Sequence, residues 1–305
     1  MPEKNVHNLR LAVCSAAMWP VVDTRDPVAV EREVQTAYLD MFPEGSPEFV
    51  GQAFQWVRAA FEGRHKDYLS IDAVYHDLEH TLQGTLCMAR LLHARAEAKG
   101  RPPLSGRMFE LGLLAILMHD TGYLKKREDT GGTGAKYTLT HVARSVRFAE
   151  EFMGEMGFAI GEIRSVQNMI RCTGVHVDLN RIPFQSEVEK IVGHALGTAD
   201  LLGQMSATDY IDKLGILYAE FEESARFYEG KMVGTLDFAS AEDLIHRTPD
   251  FWTGFVLPKL DRDFWGLYRF MNRPYPNGPN EYLLRIEGNM QRLRDRLDGK
   301  DLQAG

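Results

Sequence analysis

The chemistry legible in this chain is carried by histidines and aspartates at a few positions. His119 and Asp120 are adjacent, follow an almost unbroken apolar run from Met108, and precede Thr121-Gly122. Two ligand-type side chains therefore emerge where a buried element meets a turn. Neighbouring residues on a helix differ by roughly 100° in direction, which suits one metal held by both side chains or two metals bridged by the carboxylate. His76 and His80 are four apart, the spacing that sets two side chains on one helix face and into one pocket. Asp200 stands in Gly197-Thr198-Ala199-Asp200-Leu201, a carboxylate among small and apolar neighbours. A buried carboxylate stays charged beside a cation or several donors, and a metal would supply that charge.

A helical histidine, then His-Asp, then a distant aspartate, in that order, resembles the HD superfamily of metal-dependent phosphohydrolases. Tyr75-His76-Asp77-Leu78-Glu79-His80 is similar to a signature of cyclic-nucleotide phosphodiesterases, with Asp77 where asparagine is usual. The resemblance covers roughly residues 70–205. It implies that His80, His119, Asp120 and Asp200 ligate a first metal, that Asp120 bridges to a second, and that His76 is the general acid protonating the leaving oxygen. General chemistry agrees, since metal-bound water can reach a pKa of about 7 and histidine, with an unperturbed pKa of about 6.5, can donate the proton.

His141 and His176 fall between His119 and Asp200. In this the chain looks like HD-superfamily members in which two extra histidines hold the second metal, among them HD-GYP phosphodiesterases and di-iron oxygenases. The alternative for each is a hydrogen-bonded histidine with no metal. Lys125, Lys126 and Arg127 form a basic run after the His-Asp pair. Lys125 could reach a phosphate if its loop folds inward, against the simpler reading of a solvated charge run. Arg144 lies three residues after His141 and is expected on the same helix face, as a second substrate contact. His7, His65, His93, His194 and His246 are assigned to packing or surface.

The leading functional expectation is a phosphodiesterase-like metal-dependent phosphohydrolase acting on a small, nucleotide-like phosphate ester. A di-iron oxygenase using the same ligands, and a non-catalytic sensor of a metal and a phosphorylated ligand, are the alternatives. The cofactor would be one or two divalent ions among manganese, iron, cobalt, nickel and zinc, with magnesium an option at the second position.

These residues need elements to hold them, and the pattern is all-α throughout. Ser46-Pro47-Glu48 reads as a helix start, and Val50, Phe54, Val57 and Phe61 recur at helical steps until Gly63. A second helix is expected over 72–98, carrying His76 and His80, and a buried third from Met108 to His119. Residues 121–140 are polar and glycine-rich, a long connector of the sort that forms lids. Helices resume near His141, Gly161 and Ser186, the last with a capping box of Ser186 and Glu189 and carrying Asp200. Further helical patterns run over 209–228, 240–246, 251–271 and 280–297, with Tyr282, Ile286, Leu293 and Leu297 on one face of the last. A single domain over 1–305 is expected, its metal-binding core at about 70–205 and helices 206–298 completing the pocket.

With 305 residues and 44% hydrophobic side chains, the chain can bury a core without metal or disulfide, so a bound metal would serve chemistry. A net charge of −8 opposes binding of a nucleic-acid polymer while leaving room for a small anionic, phosphate-containing substrate. Three scattered cysteines fit a reducing, cytoplasmic setting. Residues 11–22 are read as a packed N-terminal segment, no run reaches membrane-span length, and a homodimer is compatible with everything above.

Overall fold

The computed structural model of the protein describes residues 19–174, 177–228 and 238–298. Within them the chain is all-α, with ten α-helices, short 3-10 and π turns, and no strand. The helices are α1 (Pro27–Met41), α2 (Phe49–Phe61), α3 (Leu78–Glu97), α4 (Gly106–Met118) and α5 (His141–Glu155), then α6 (Ile160–Ile170), α7 (Glu187–Met205), α8 (Tyr210–Phe227), α9 (Ala241–Phe251) and α10 (Glu281–Leu297). No described helix is long and apolar enough to cross a membrane. Of residues 11–22 only the last four are described, and Trp19 among them packs against the core.

Short polar side chains start most of these helices by accepting otherwise orphaned backbone N–H groups. Asp26 caps α1 with Pro27 in the first turn, Ser105 caps α4, Ser186 caps α7, Ser240 caps α9 and Asn280 caps α10. Helix α3 departs from the sequence expectation. It begins at Leu78, because the Asp77 carboxylate accepts the His80 N–H at 2.9 Å and caps it there. Residues 72–77 are extended or bent, so His76 does not share a helix with His80. Helix α2 begins two residues after the expected proline turn. Ser186 does cap α7 by accepting from Glu189 N at 3.1 Å, but the Glu189 carboxylate is turned to Gln185 N, Ser165 Oγ and Asn168 Nδ2. It ties α7 to α6 rather than closing a box. The expected helix over 251–271 is a string of π and 3-10 turns.

Helices α3, α4 and α7 lie at the centre, buried nearly all round, and pack on one another. Helix α1 covers α3, while α5 and α6 cover α4 and α7. The crossing of α3 and α7 is close because Gly203 has no side chain. A Cβ there would sit 2.8 Å from the backbone of Gln83. One apolar core runs from Trp19 to Leu293, including Tyr282 and Ile286 of α10, with Leu297 packed at its margin.

Candidate metal centre

Each central helix delivers one part of the cluster. His80 is in the first turn of α3, His119 ends α4, Asp120 follows it, and Asp200 lies in the last third of α7. His80 Nε2 is 3.1 Å from Asp120 Oδ2 and 3.3 Å from Asp200 Oδ1. His119 Nε2 is 3.3 Å and 3.5 Å from the same two oxygens. Two nitrogens and two oxygens thus converge from three helices, and the structure brings together the four residues that the sequence singled out.

The convergence is on a shared point rather than on one another. His119 Nε2 and Asp120 Oδ2 are fully buried and form no hydrogen bond of acceptable geometry. A buried polar atom without a partner carries a desolvation penalty, which a cation at the common point would offset. The histidine orientation fits the same purpose. His119 Nδ1 lies 2.6 Å from the Ile116 carbonyl, so it carries a proton and donates, which turns Nε2 toward the cluster. Burial disfavours the charges of Asp120 and Asp200, but the imidazoles of His119 and His80 outweigh it and hold both carboxyls well below the usual range. Reciprocally, burial would lower His80, and the two carboxylates overcome this to raise it to about 9. The donor set fits a divalent transition metal.

His141 approaches from the other side. Its Nε2 is 3.8 Å from Asp120 Oδ1, and its Nδ1 donates to the Thr138 carbonyl at 2.6 Å, the same arrangement as in His119. The two oxygens of Asp120 therefore face different histidines. Burial lowers the His141 pKa, which keeps the ring neutral. His176 lies outside the described residues.

His76 reaches the cluster from the extended segment before α3. Its ring is 5.3 Å from that of His80, and one of its nitrogens stands with His80 and Asp120 within 4.8 Å. Its Nδ1 is 2.6 Å from Glu220 Oε2, while Glu220 Oε1 accepts the Tyr75 N–H at 2.7 Å. Burial would raise the Glu220 pKa, but these donors lower it, so it is a carboxylate. Tyr123, fully buried, stacks against both His76 and His141 with ring centroids 4.4 Å and 4.8 Å away, and the two histidine rings are 6.2 Å apart.

Sequence reasoning missed Glu220 and the stacking role of Tyr123. In Glu220-Phe221-Glu222-Glu223 nothing but the fold tells which acid points inward. Tyr123 carried a signal, being three residues after Asp120, but its contacts come from separate elements.

The basic residues go elsewhere. Lys125, expected at substrate, is buried with its ammonium 2.7 Å from Asp72 Oδ2 and 2.6 Å from the Gly132 carbonyl. Arg144, the other expected substrate contact, donates to the carbonyls of Gly122 at 2.6 Å and Leu124 at 2.7 Å and lies over Tyr137. It braces the turn after Asp120 because an inward-facing guanidinium finds unpaired carbonyls there. Lys126 sits over Tyr68, and Arg127 donates to the carbonyls of Gly63, His65 and Lys66. The 121–140 connector, expected as a lid, is pinned. Glu223 of α8 accepts from Thr133 N at 2.5 Å and Thr133 Oγ1 at 2.6 Å, and Asp72 accepts from Gly134 N at 2.7 Å. Gly122 is required where this connector meets α5, since a Cβ would lie 2.0 Å from the His141 carbonyl oxygen. His194 is a packing residue, as expected, enclosed by Phe184, Phe264 and Trp265.

A model of the Npun_R2479-like family matches residues 127–267, just under half of the chain. The matched span holds His141, Asp200 and Glu220, while His80, His119 and Asp120 precede it. Comparison with curated proteins finds no match.

Proposed function

We propose that this chain is a metal-dependent phosphohydrolase of phosphodiesterase type, acting on a small anionic phosphate ester. The observation that supports it most is the convergence of His80, His119, Asp120 and Asp200 around buried, unpartnered donor atoms. A divalent metal bound there supplies a nucleophilic hydroxide near neutral pH and a positive charge opposite the phosphoryl oxygens.

The remaining work falls to the chain itself. Asp120 offers its two oxygens to separate histidine sets, the arrangement a bridging carboxylate needs. Glu220 fixes the His76 ring through Nδ1 and provides the counter-charge that a protonated imidazole requires. His76 Nε2 is then free to give a proton to the oxygen that leaves phosphorus as water adds. Tyr123 packs flat against both His76 and His141, so donor and cluster keep their spacing.

The test is anaerobic hydrolysis of bis(p-nitrophenyl) phosphate by the chain reconstituted with manganese or ferrous iron, beside Asp120→Ala. Turnover without oxygen that disappears in the variant is expected. Full activity in Asp120→Ala, or silence with every metal together with oxygen uptake, would overturn the proposal.

A further inference from the structure

A cavity of about 890 Å³ shares no lining residue with the metal cluster. One wall is a stripe of α6 and the turn after it, where Arg164, Asn168 and Arg171 recur at helical steps of four and three. The facing wall is the 177–185 segment, with Arg181 beside the apolar Val177, Ile182 and Pro183. Three guanidinium groups gather here in a chain whose net charge is −8. The one acid in the lining, Asp178, lies 3.1 Å from Arg181 Nε. Arg164 has no hydrogen bond or ion pair among the described residues. Arg171 uses Nη1 on Asn168 Oδ1 at 3.0 Å, leaving its other nitrogens, and burial works against its charge.

The wall is built, not incidental. Asn168 is buried and locked by Glu189 and the Pro183 carbonyl, which fixes the Arg171 fork and joins both walls. Arginine forks match phosphate oxygens bidentately, and Arg164 and Arg171 are about 10 Å apart along the helix by rise alone, a span that suits more than one phosphoryl group. The volume lies in the range of small-molecule sites, and the apolar side could cover a flat organic group. We infer that this cavity is a second site that binds a polyphosphorylated small molecule, of the nucleoside diphosphate class. The inference is independent of the reading of the metal centre.

Calorimetric titration of the full chain with ADP, and separately with pyrophosphate, tests it in wild type, in Asp120→Ala, and in Asp120→Ala carrying Arg164→Glu or Arg164→Ala/Arg171→Ala. Saturable binding is expected to persist in Asp120→Ala, where the metal centre no longer offers a second phosphate site, and to weaken about 10-fold or more when either arginine change is added to that background. Arg164→Glu changes an exposed side chain without partners, so its fold is expected to persist even if the double variant is unstable. Tighter binding of ADP than of pyrophosphate would place the nucleoside on the apolar wall, and equal binding would assign recognition to the phosphates alone; either supports the site. No saturable binding, binding lost in Asp120→Ala, or binding unchanged when the arginine changes are added to it, would overturn it.

Discussion

At the scale of single residues, His119, Asp120 and Asp200 were legible because each stands in a telling context, after a buried run or alone among small apolar neighbours, while His80 was singled out by its spacing from His76 although the two do not share a helix. The partners of His76 were not legible, since Glu220 comes from a helix 144 residues away. Glu220→Gln keeps the size but removes the charge beside His76. It is expected to reduce kcat about 10- to 100-fold on an ester with a poor leaving group, with less effect on a p-nitrophenyl ester whose leaving group needs little protonation. Equal losses on both esters would argue for a merely structural Glu220. The basic side chains teach the opposite lesson. Lys125 and Arg144 looked available from their spacing, yet the polar connector beside them offers Asp72 and bare carbonyls that take up their donors. Lys125→Met is therefore expected to lower stability, by leaving Asp72 Oδ2 and the Gly132 carbonyl without the ammonium that serves them, more than it changes KM, as chemical denaturation beside steady-state kinetics would show.

Among the elements, the all-α character and most helix starts followed from caps and apolar periodicity. Helix α3 was drawn too long at its front because Asp77 was weighed as part of a signature rather than as a cap. The expected lid proved pinned because its anchor, Glu223, belongs to a distant helix. The α3–α7 crossing matters most for the cluster, since it sets His80 opposite Asp200. Adding a methyl group at Gly203 must push the two backbones apart. Gly203→Ala is expected to cost about 1–3 kcal/mol in denaturant unfolding and to weaken metal retention. Unchanged stability and metal content would show that the crossing has slack.

For the molecule as a whole, His194 links packing to pH. It is buried with both ring nitrogens unpartnered, and burial, aided by Lys190 and Lys259, lowers its pKa from 6.5 to about 4. Because the unfolded chain takes up this proton first, stability is full above pH 6.5, declines as pH falls from 6.5 to about 4, and levels below that. The loss across the window is about 3 kcal/mol. His194→Phe should flatten that part of the stability profile, and an unchanged slope would assign the acid sensitivity to other groups. The sequence assigns His194 to packing or surface, but its aromatic enclosure needed the irregular turns around Phe264 and Trp265, which no periodicity announces.

Whether His80, His119, Asp120 and Asp200 hold a metal is decided by metal content after exhaustive dialysis of wild type, Asp120→Ala, Asp200→Ala and the control Lys125→Met. Wild type and the control should retain at least one equivalent of a transition metal, and both aspartate variants should lose it while keeping their helical circular dichroism. A folded aspartate variant that retains the wild-type complement, or a wild type that binds none from any metal offered, would contradict the account.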